Sequence, residues 1–136
     1  MTHPPQARVA RQLRSFWRHY IGGRWVDGIN GKRIAVENPA TGATLAEIAR
    51  AEAGDVDAAV GAARRCADRG LLADMKPSQR MTLMFRIAAE LERAHEEIAW
   101  AERLDSGKHI SDAGTEAAGA ARYFTYYGGL ADKLEV

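Results

Sequence analysis

Residues 20–42 read YIGGRWVDGINGKRIAVENPATG, and the fold of the chain is organised around this stretch. Apolar residues in YIGGRWV and again in IAV predict two strands. Between the two runs lie Asp27-Gly28 and Asn30-Gly31, whose residue types tolerate the positive φ of a tight reversal. Because Pro39 lacks a backbone N–H, strand pairing should end there and the chain should turn at residues 40–42. The stretch therefore predicts a β-hairpin.

Composition excludes several classes of protein. A chain of 136 residues fits one domain at most, and 46% hydrophobic with 27% charged residues is ordinary for a soluble protein. The net charge of +1 argues against a nucleic-acid or anionic-membrane binder, and no apolar run is long enough to span a bilayer. A single cysteine, Cys66, excludes an internal disulfide framework. We therefore expect a cytoplasmic protein that binds neither nucleic acid nor membrane.

Residues 1–19 form a basic extension ahead of a domain that begins at residue 20. Residues 1–26 contain no Asp or Glu. At helical spacing, arginines lie opposite apolar residues: Arg8, Arg11, Arg14 and Arg18 against Val9, Leu13, Phe16 and Trp17. Two interpretations follow. The segment is either an amphipathic targeting or membrane-surface segment, or a solvated helix or frayed tail, which Pro4-Pro5 favours.

After the hairpin, the pattern predicts one more short strand and then about four helices. TLAEIA at residues 44–49 alternates as a strand does. Asp55 is expected to cap a helix that Gly70 ends. Further helices are predicted at 77–93, opened by Pro77, at 95–106, ended by Gly107, and at about 112–134. The first helix should bury one apolar face, formed by Val56, Ala59, Val60, Ala63, Cys66 and Ala67.

The second and fourth helices carry distinctive surfaces. A stripe on the second is interpreted as core rather than as a partner groove: Met81, Met84, Phe85, Ala88 and Leu91. The fourth helix is rich in glycine and alanine, so a neighbour must pack closely against it. It also carries an aromatic collar that needs covering, formed by Tyr123, Phe124, Tyr126 and Tyr127.

Five motifs follow one another along the chain. They are Tyr20-Ile21-Gly22-Gly23 with Trp25, Asn38-Pro39-Ala40-Thr41-Gly42, Asp55-Val56-Asp57-Ala58-Ala59-Val60, Leu104-Asp105-Ser106-Gly107-Lys108 and Tyr126-Tyr127-Gly128-Gly129-Leu130-Ala131-Asp132-Lys133. In this order they resemble the N-terminal region of the NAD(P)-dependent aldehyde dehydrogenase superfamily. The resemblance covers residues 20–134. Three positions depart from the family pattern: His109 stands where proline commonly follows Gly-Lys, Gly128 stands where alanine is usual, and Lys76 offers no side-chain acceptor to cap the helix that begins at Pro77.

The resemblance implies an α/β, Rossmann-like fold, of which residues 20–136 are an incomplete N-terminal part. It implies oxidation of an aldehyde to a carboxylic acid with NAD or NADP, in a homo-oligomeric parent enzyme. That chemistry needs an activated cysteine thiolate, a glutamate base and an asparagine that holds the oxyanion. In the family these residues lie further along the sequence than residue 136. We therefore assign no catalytic or cofactor-binding residue and expect the isolated chain to be inactive and to bind no cofactor.

Three local features of the sequence resemble other kinds of site. Cys66 lies among arginines, which can lower a thiol pKa, but we interpret it as a small buried residue. The segment 114–119 has G-x-x-x-x-G spacing, yet no strand precedes it, so we interpret it as a helix interior. His95 and His109 lack the three- or four-residue spacing of a zinc site on a helix.

The resemblance also implies a structural monovalent cation in some family members. Its ligands there are backbone carbonyls just before Asn-Pro and the aspartate of the Asp-x-Gly-Lys motif. The corresponding positions are Val36, Glu37 and Asp105, and the remaining ligands would come from beyond residue 136.

Two hypotheses about function remain open. The first is that the chain is the N-terminal segment of an aldehyde dehydrogenase and builds part of its cofactor domain. The second is a non-catalytic interaction module, or pseudo-subunit, that docks its hairpin and its small-residue helix on another protein.

Overall fold

The computed structural model of the protein describes residues 16–133. Five strands come first: β1 (Phe16–Trp17), β2 (His19–Ile21), β3 (Arg24–Val26), β4 (Arg33–Glu37) and β5 (Thr44–Ala49). Four helices follow: α1 (Ala53–Asp68), α2 (Pro77–Arg93), α3 (His95–Ser106) and α4 (Ile110–Leu130). The predicted α/β class and the number of helices are confirmed for these residues.

The predicted hairpin is wrong in its pairing. Strands β2 and β3 pair with each other in antiparallel register, so the run 20–26 is a small hairpin by itself. Its turn is Gly22-Gly23, with φ of 58° and 81°. Positive φ at both central residues gives the turn the twist that adjacent antiparallel strands require. The glycine pair therefore reverses the chain before it reaches the Asn30-Gly31 turn.

Strand β4 pairs instead with β5, antiparallel, from Arg33 opposite Ala49 to Glu37 opposite Thr44. The turn between them forms where Asn-Pro predicts it. The Asn38 carbonyl accepts from the Gly42 N–H at 2.8 Å, and the Asn38 side chain accepts from the Ala40 N–H at 3.0 Å. The strand at 44–49 and the turn after Pro39 are thus confirmed.

Strand β1 lies on the other edge of β5, in parallel register, so the three-stranded sheet has the order β1-β5-β4. The Arg33 guanidinium lies 3.9 Å from the Phe16 ring centroid and forms a 3.0 Å ion pair with Glu47. The helical pattern is therefore wrong at Phe16 and Trp17, because strand pairing and this stacking fix them in the sheet. The predicted arginines at 8, 11 and 14 lie outside the described residues.

Helix α1 begins two residues before the position that sequence analysis gives as its cap. Asp55 is the third residue of the helix, and its carboxylate accepts the Glu52 N–H at 2.9 Å, so it caps from inside the first turn. Gly70, with φ of 65°, follows the end of the helix as predicted.

The other helix bounds agree with the predictions at most ends. Helix α2 begins at Pro77, and α3 ends at Gly107, which has φ of 75°. Helix α4 begins two residues before the predicted start and ends at Leu130 rather than near 134. The Ala131 N–H donates to the Gly128 carbonyl at 3.1 Å, so the last turn tightens there.

The core lies where α2 and α3 pack on α4. Among the described residues, the buried apolar side chains are almost all alanine: Ala46, Ala49, Ala88, Ala99, Leu104, Ala113, Ala117 and Ala121. The α2 stripe packs closely at Gly128, where an added Cβ would lie 2.9 Å from the Met84 Cβ and 3.0 Å from the Phe85 ring. The prediction that this stripe is core is confirmed for Ala88, which is buried, while Phe85 stays 40% exposed.

Candidate functional site

Two of the sequence motifs meet at the end of α3. The left-handed conformation of Gly107 ends the helix, and an added Cβ there would lie 2.9 Å from Pro39 Cγ. Only glycine therefore suits this position, both for its backbone and for the contact. The consequence is that the Asn38-Pro39 turn is fixed against the Leu104–Lys108 motif, although more than sixty residues separate them in sequence.

Beside this junction lies a cavity of about 390 Å³ between one face of the sheet and α3, which we call the sheet–α3 groove. Most of its lining is apolar and consists of Trp17, Val36, Leu45, Ala46, Ile48, Ile98 and Ala101. Helix α3 adds two carboxylates, those of Glu102 and Asp105.

Two of the three predicted cation ligands, Val36 and Asp105, line this groove, whereas Glu37 is not among its lining residues. Val36 offers a carbonyl oxygen and Asp105 a carboxylate, both of which suit a hard cation. Within residues 16–133, no three His, Cys, Asp or Glu side chains cluster as metal ligands would. The residues present thus fit part of an oxygen-ligand site, and the full ligand set stays a prediction.

Lys108 joins α3 to α4 at the edge of the groove. Its Nζ lies 2.7 Å from Glu102 Oε1 and 2.6 Å from Glu116 Oε2, and its carbonyl accepts from Arg103 Nη1 at 3.0 Å. Hydrogen bonds to Glu102 and then Glu116 raise the pKa of the Lys108 ammonium well above its ordinary value. Lys108, the lysine of the Gly-Lys motif, therefore has a structural role, because its ion pairs with Glu102 and Glu116 connect α3 to α4.

His95 and His109 both lie at the backbone of helix α4. His95 Nε2 lies 2.9 Å from the Gly114 carbonyl oxygen, and His109 is the residue immediately before the helix. The G-x-x-x-x-G segment 114–119 falls inside α4, as predicted for a helix interior. Neither feature presents a loop of N–H groups to a phosphate.

Cys66 is exposed, so the prediction that it is buried is wrong. The whole predicted apolar face of α1 shares this exposure: Val56 is 53% and Val60 62% exposed. The reason is that α1 touches the rest of the described chain mainly near the β2–β3 hairpin, where Gly22 faces Ala62.

Sequence analysis missed the role of one carboxylate. Asp55 is only 5% exposed, and besides Glu52 it accepts the Ile29 N–H at 3.1 and 3.3 Å. It thereby fixes the loop that follows β3 to the start of α1. The position of Asp55 in the first turn of a helix, after a glycine- and asparagine-rich loop, was the feature of the sequence that indicated this role.

A second cavity, of about 760 Å³, lies along the exposed side of α4. It is lined by Thr115, Glu116, Gly119, Ala120, Arg122, Tyr123, Tyr126 and Tyr127. The three tyrosines are more than half exposed. Three of the four rings of the predicted aromatic collar therefore remain uncovered within the described residues, and the expectation that another segment covers them stays a prediction.

The model of the aldehyde dehydrogenase family matches residues 25–136. The chain belongs to this family. It is 35% identical over 132 residues to an aldehyde dehydrogenase of Paracoccus denitrificans, covering 95% of this chain and 25% of that protein. It is 37% identical over 135 residues to aminoaldehyde dehydrogenase 2 of Zea mays, covering 97% and 26%. The chain thus spans about a quarter of the length of the curated relatives it matches.

Solved structures agree over nearly the whole chain. The apo form of an indole-3-acetaldehyde dehydrogenase superposes with a TM-score of 0.89 at 34% identity, covering 98% of this chain and 31% of that one. A betaine aldehyde dehydrogenase from Staphylococcus aureus in complex with NAD+ gives 0.89 at 26% identity, covering 96% and 26%. The expectation that this family fold is present as an N-terminal region is confirmed.

Proposed function

We propose that this chain is the N-terminal segment of an NAD(P)-dependent aldehyde dehydrogenase. The complete enzyme oxidises an aldehyde to a carboxylic acid. The observation that carries the proposal is a structural superposition. It covers 98% of this chain and 31% of an indole-3-acetaldehyde dehydrogenase. In that role the segment supplies the small sheets and the α2–α4 packing against which the remaining family fold is built. Residues 20–136 are then an incomplete domain, and the basic extension of residues 1–19 joins it through Phe16, Trp17 and His19, which lie in strands.

The cofactor and substrate belong to the whole enzyme in this proposal. NAD is favoured because a related betaine aldehyde dehydrogenase was solved with NAD+. A homo-oligomer in the cytoplasm is our further expectation for the parent. No helix within residues 16–133 is long and apolar enough to cross a membrane. We also propose that Val36, Glu37 and Asp105 contribute to a structural monovalent cation site.

We expect the isolated 136-residue chain to be inactive. Its sole thiol lies exposed on α1, whereas thiolate attack on an aldehyde needs a base and oxyanion donors in one site that restricts water. The purified chain is assayed for aldehyde-dependent NADH and NADPH formation, with a full-length relative as positive control. No reduction is expected, and calorimetry should detect no NAD binding. Turnover that Cys66→Ala abolishes would contradict this proposal.

The genomic DNA directly after the Val136 codon tests the identity of the segment separately. An open frame that continues into a stretch with a cysteine nucleophile supports the dehydrogenase proposal. A stop codon beside an intact, separate dehydrogenase gene favours the second candidate, a non-catalytic interaction module. The observation behind that candidate is the exposed apolar face of α1, with Val56 and Val60 more than half exposed.

A further inference from the structure

Two carboxylates that share one ammonium group line two different cavities. Glu102 lines the sheet–α3 groove. Glu116 lines the cavity of about 760 Å³ along the exposed side of α4, which we call the α4 cavity. Lys108 Nζ lies 2.7 Å from Glu102 Oε1 and 2.6 Å from Glu116 Oε2. The charge on the wall of each cavity therefore depends on the same lysine side chain.

The backbone of Lys108 is held in place between the two helices. The preceding Gly107 has a left-handed conformation, and an added Cβ there would lie 2.9 Å from Pro39 Cγ. The Lys108 carbonyl accepts from Arg103 Nη1 at 3.0 Å. Its side chain is 28% exposed, so water and salt screen its ion pairs less than those of a fully exposed lysine. A change at either carboxylate therefore acts on the ammonium group through side-chain rotation, with the backbone fixed.

Sharing one ammonium group makes the two ion pairs compete. When a cationic group binds Glu116 in the α4 cavity, Lys108 pairs with Glu102 alone. A second cationic group in the groove must then displace Lys108 from its last carboxylate partner. Coupling of this kind is reciprocal, because the free energy of the doubly bound state does not depend on the order of binding.

We propose that Lys108 couples the sheet–α3 groove to the α4 cavity. A cationic group that binds Glu116 shifts Lys108 toward Glu102, and one that binds Glu102 shifts it toward Glu116, so cations in the two cavities oppose each other. Lys108 is then a positioning residue that sets the charge of both cavities. The coupling goes beyond the proposed function and does not depend on it, because it uses only contacts within residues 16–133.

A lysine introduced into the α4 cavity of the 136-residue chain tests the coupling. Ala120 lines this cavity four residues after Glu116, so Ala120→Lys places an ammonium group where it pairs well with that glutamate. Ala118→Lys is the matched control, because residues two apart on a helix do not face each other. The readout is the NMR chemical shift of the Ala101 and Asp105 amides, which lie on the groove side of α3. Ala120→Lys should change these shifts at least about threefold more than Ala118→Lys does.

Substitutions at the shared ion pairs separate this coupling from helix packing. Glu116→Gln also leaves Lys108 to Glu102 alone, so it should move the groove amides in the same direction as Ala120→Lys. In a Lys108→Met background, neither substitution should move them. Glu102→Gln, which keeps the lysine, should abolish the effect of Ala120→Lys as well, so the result does not depend on how well Lys108→Met folds.

Two results would overturn the proposal. Equal shifts with and without Lys108 would mean that the effect passes through the packing of α3 on α4. Shifts for Ala120→Lys no larger than those for Ala118→Lys would mean that a cation in the α4 cavity does not reach the groove.

Discussion

At the scale of single residues, Asp55 fixes the loop after β3 to the start of α1. It is buried and accepts backbone N–H groups of Ile29 and Glu52. Asp55→Ala leaves those donors unsatisfied, at a cost of about 1–3 kcal/mol in the opening free energy. Exchange of the Ile29 amide hydrogen, followed by NMR, should become about five- to 150-fold faster.

Two variants make the Asp55 prediction specific. Asp55→Asn keeps one acceptor oxygen and should accelerate the exchange less than alanine does. Asp57→Ala, in the same helix turn but exposed, should leave the Ile29 amide unchanged. If Asp57→Ala and Asp55→Ala accelerate exchange equally, helix propensity rather than the buried carboxylate governs this loop.

Lys108 gives a pH-dependent prediction at the same scale. Its pKa is raised by Glu102 and Glu116, so the folded value lies above the unfolded one. The contribution of this ion pair is therefore complete below the ordinary lysine pKa and is lost as pH rises through the folded value. In an NMR titration, Lys108 should lose its proton above the ordinary lysine pKa. Glu116→Gln should bring the Lys108 pKa back toward the ordinary value, whereas Glu97→Gln should not.

At the scale of elements, the contact of α2 with α4 depends on a glycine that the family resemblance marked as unusual. An added Cβ at Gly128 would lie 2.9 Å from the Met84 Cβ, while one at Gly129 meets nothing within 4 Å. Gly128→Ala should lower the free energy of unfolding by about 1–3 kcal/mol, because overpacking outweighs the gain in helix propensity. Gly129→Ala should raise it by up to about 1 kcal/mol. Urea denaturation followed by circular dichroism measures both, and the same sign for both would refute the packing argument.

The helices and strands also show which structural features a sequence predicts and which it does not. Helix ends were predictable at Pro77 and Gly107, because proline and glycine act there through their own backbone geometry. Strand pairing was not predictable from the sequence, because it depends on which of two possible turns reverses the chain first. In the structure the chain reverses at Gly22-Gly23, before it reaches Asn30-Gly31.

The candidate site was partly predictable in the same sense. The resemblance singled out Val36 and Asp105, which do share a groove, but nothing local indicated that Pro39 would contact Gly107. The burial of Cys66 was mispredicted because an amphipathic pattern shows which face is apolar, and only the tertiary structure shows whether any element covers it.

At the scale of the whole molecule, apolar surface remains uncovered at two places within residues 16–133. On α1, Val56 is 53% and Val60 62% exposed, and on α4 the rings of Tyr123, Tyr126 and Tyr127 are more than half exposed. Compact monomers rarely leave large contiguous apolar patches uncovered. On the proposed function, the rest of a larger fold covers both places.

The same exposure predicts how the isolated chain unfolds. Because these apolar faces already lie in water in the folded chain, unfolding exposes less additional area than it does in a compact protein of equal length. The urea m-value scales with the area exposed on unfolding, so it should be smaller than that of such a protein, and the transition correspondingly broader. Urea denaturation, with sedimentation to establish the monomer, measures this. A monomer with the full m-value would mean that the chain closes its own apolar faces, which would favour an independent module over a dehydrogenase segment.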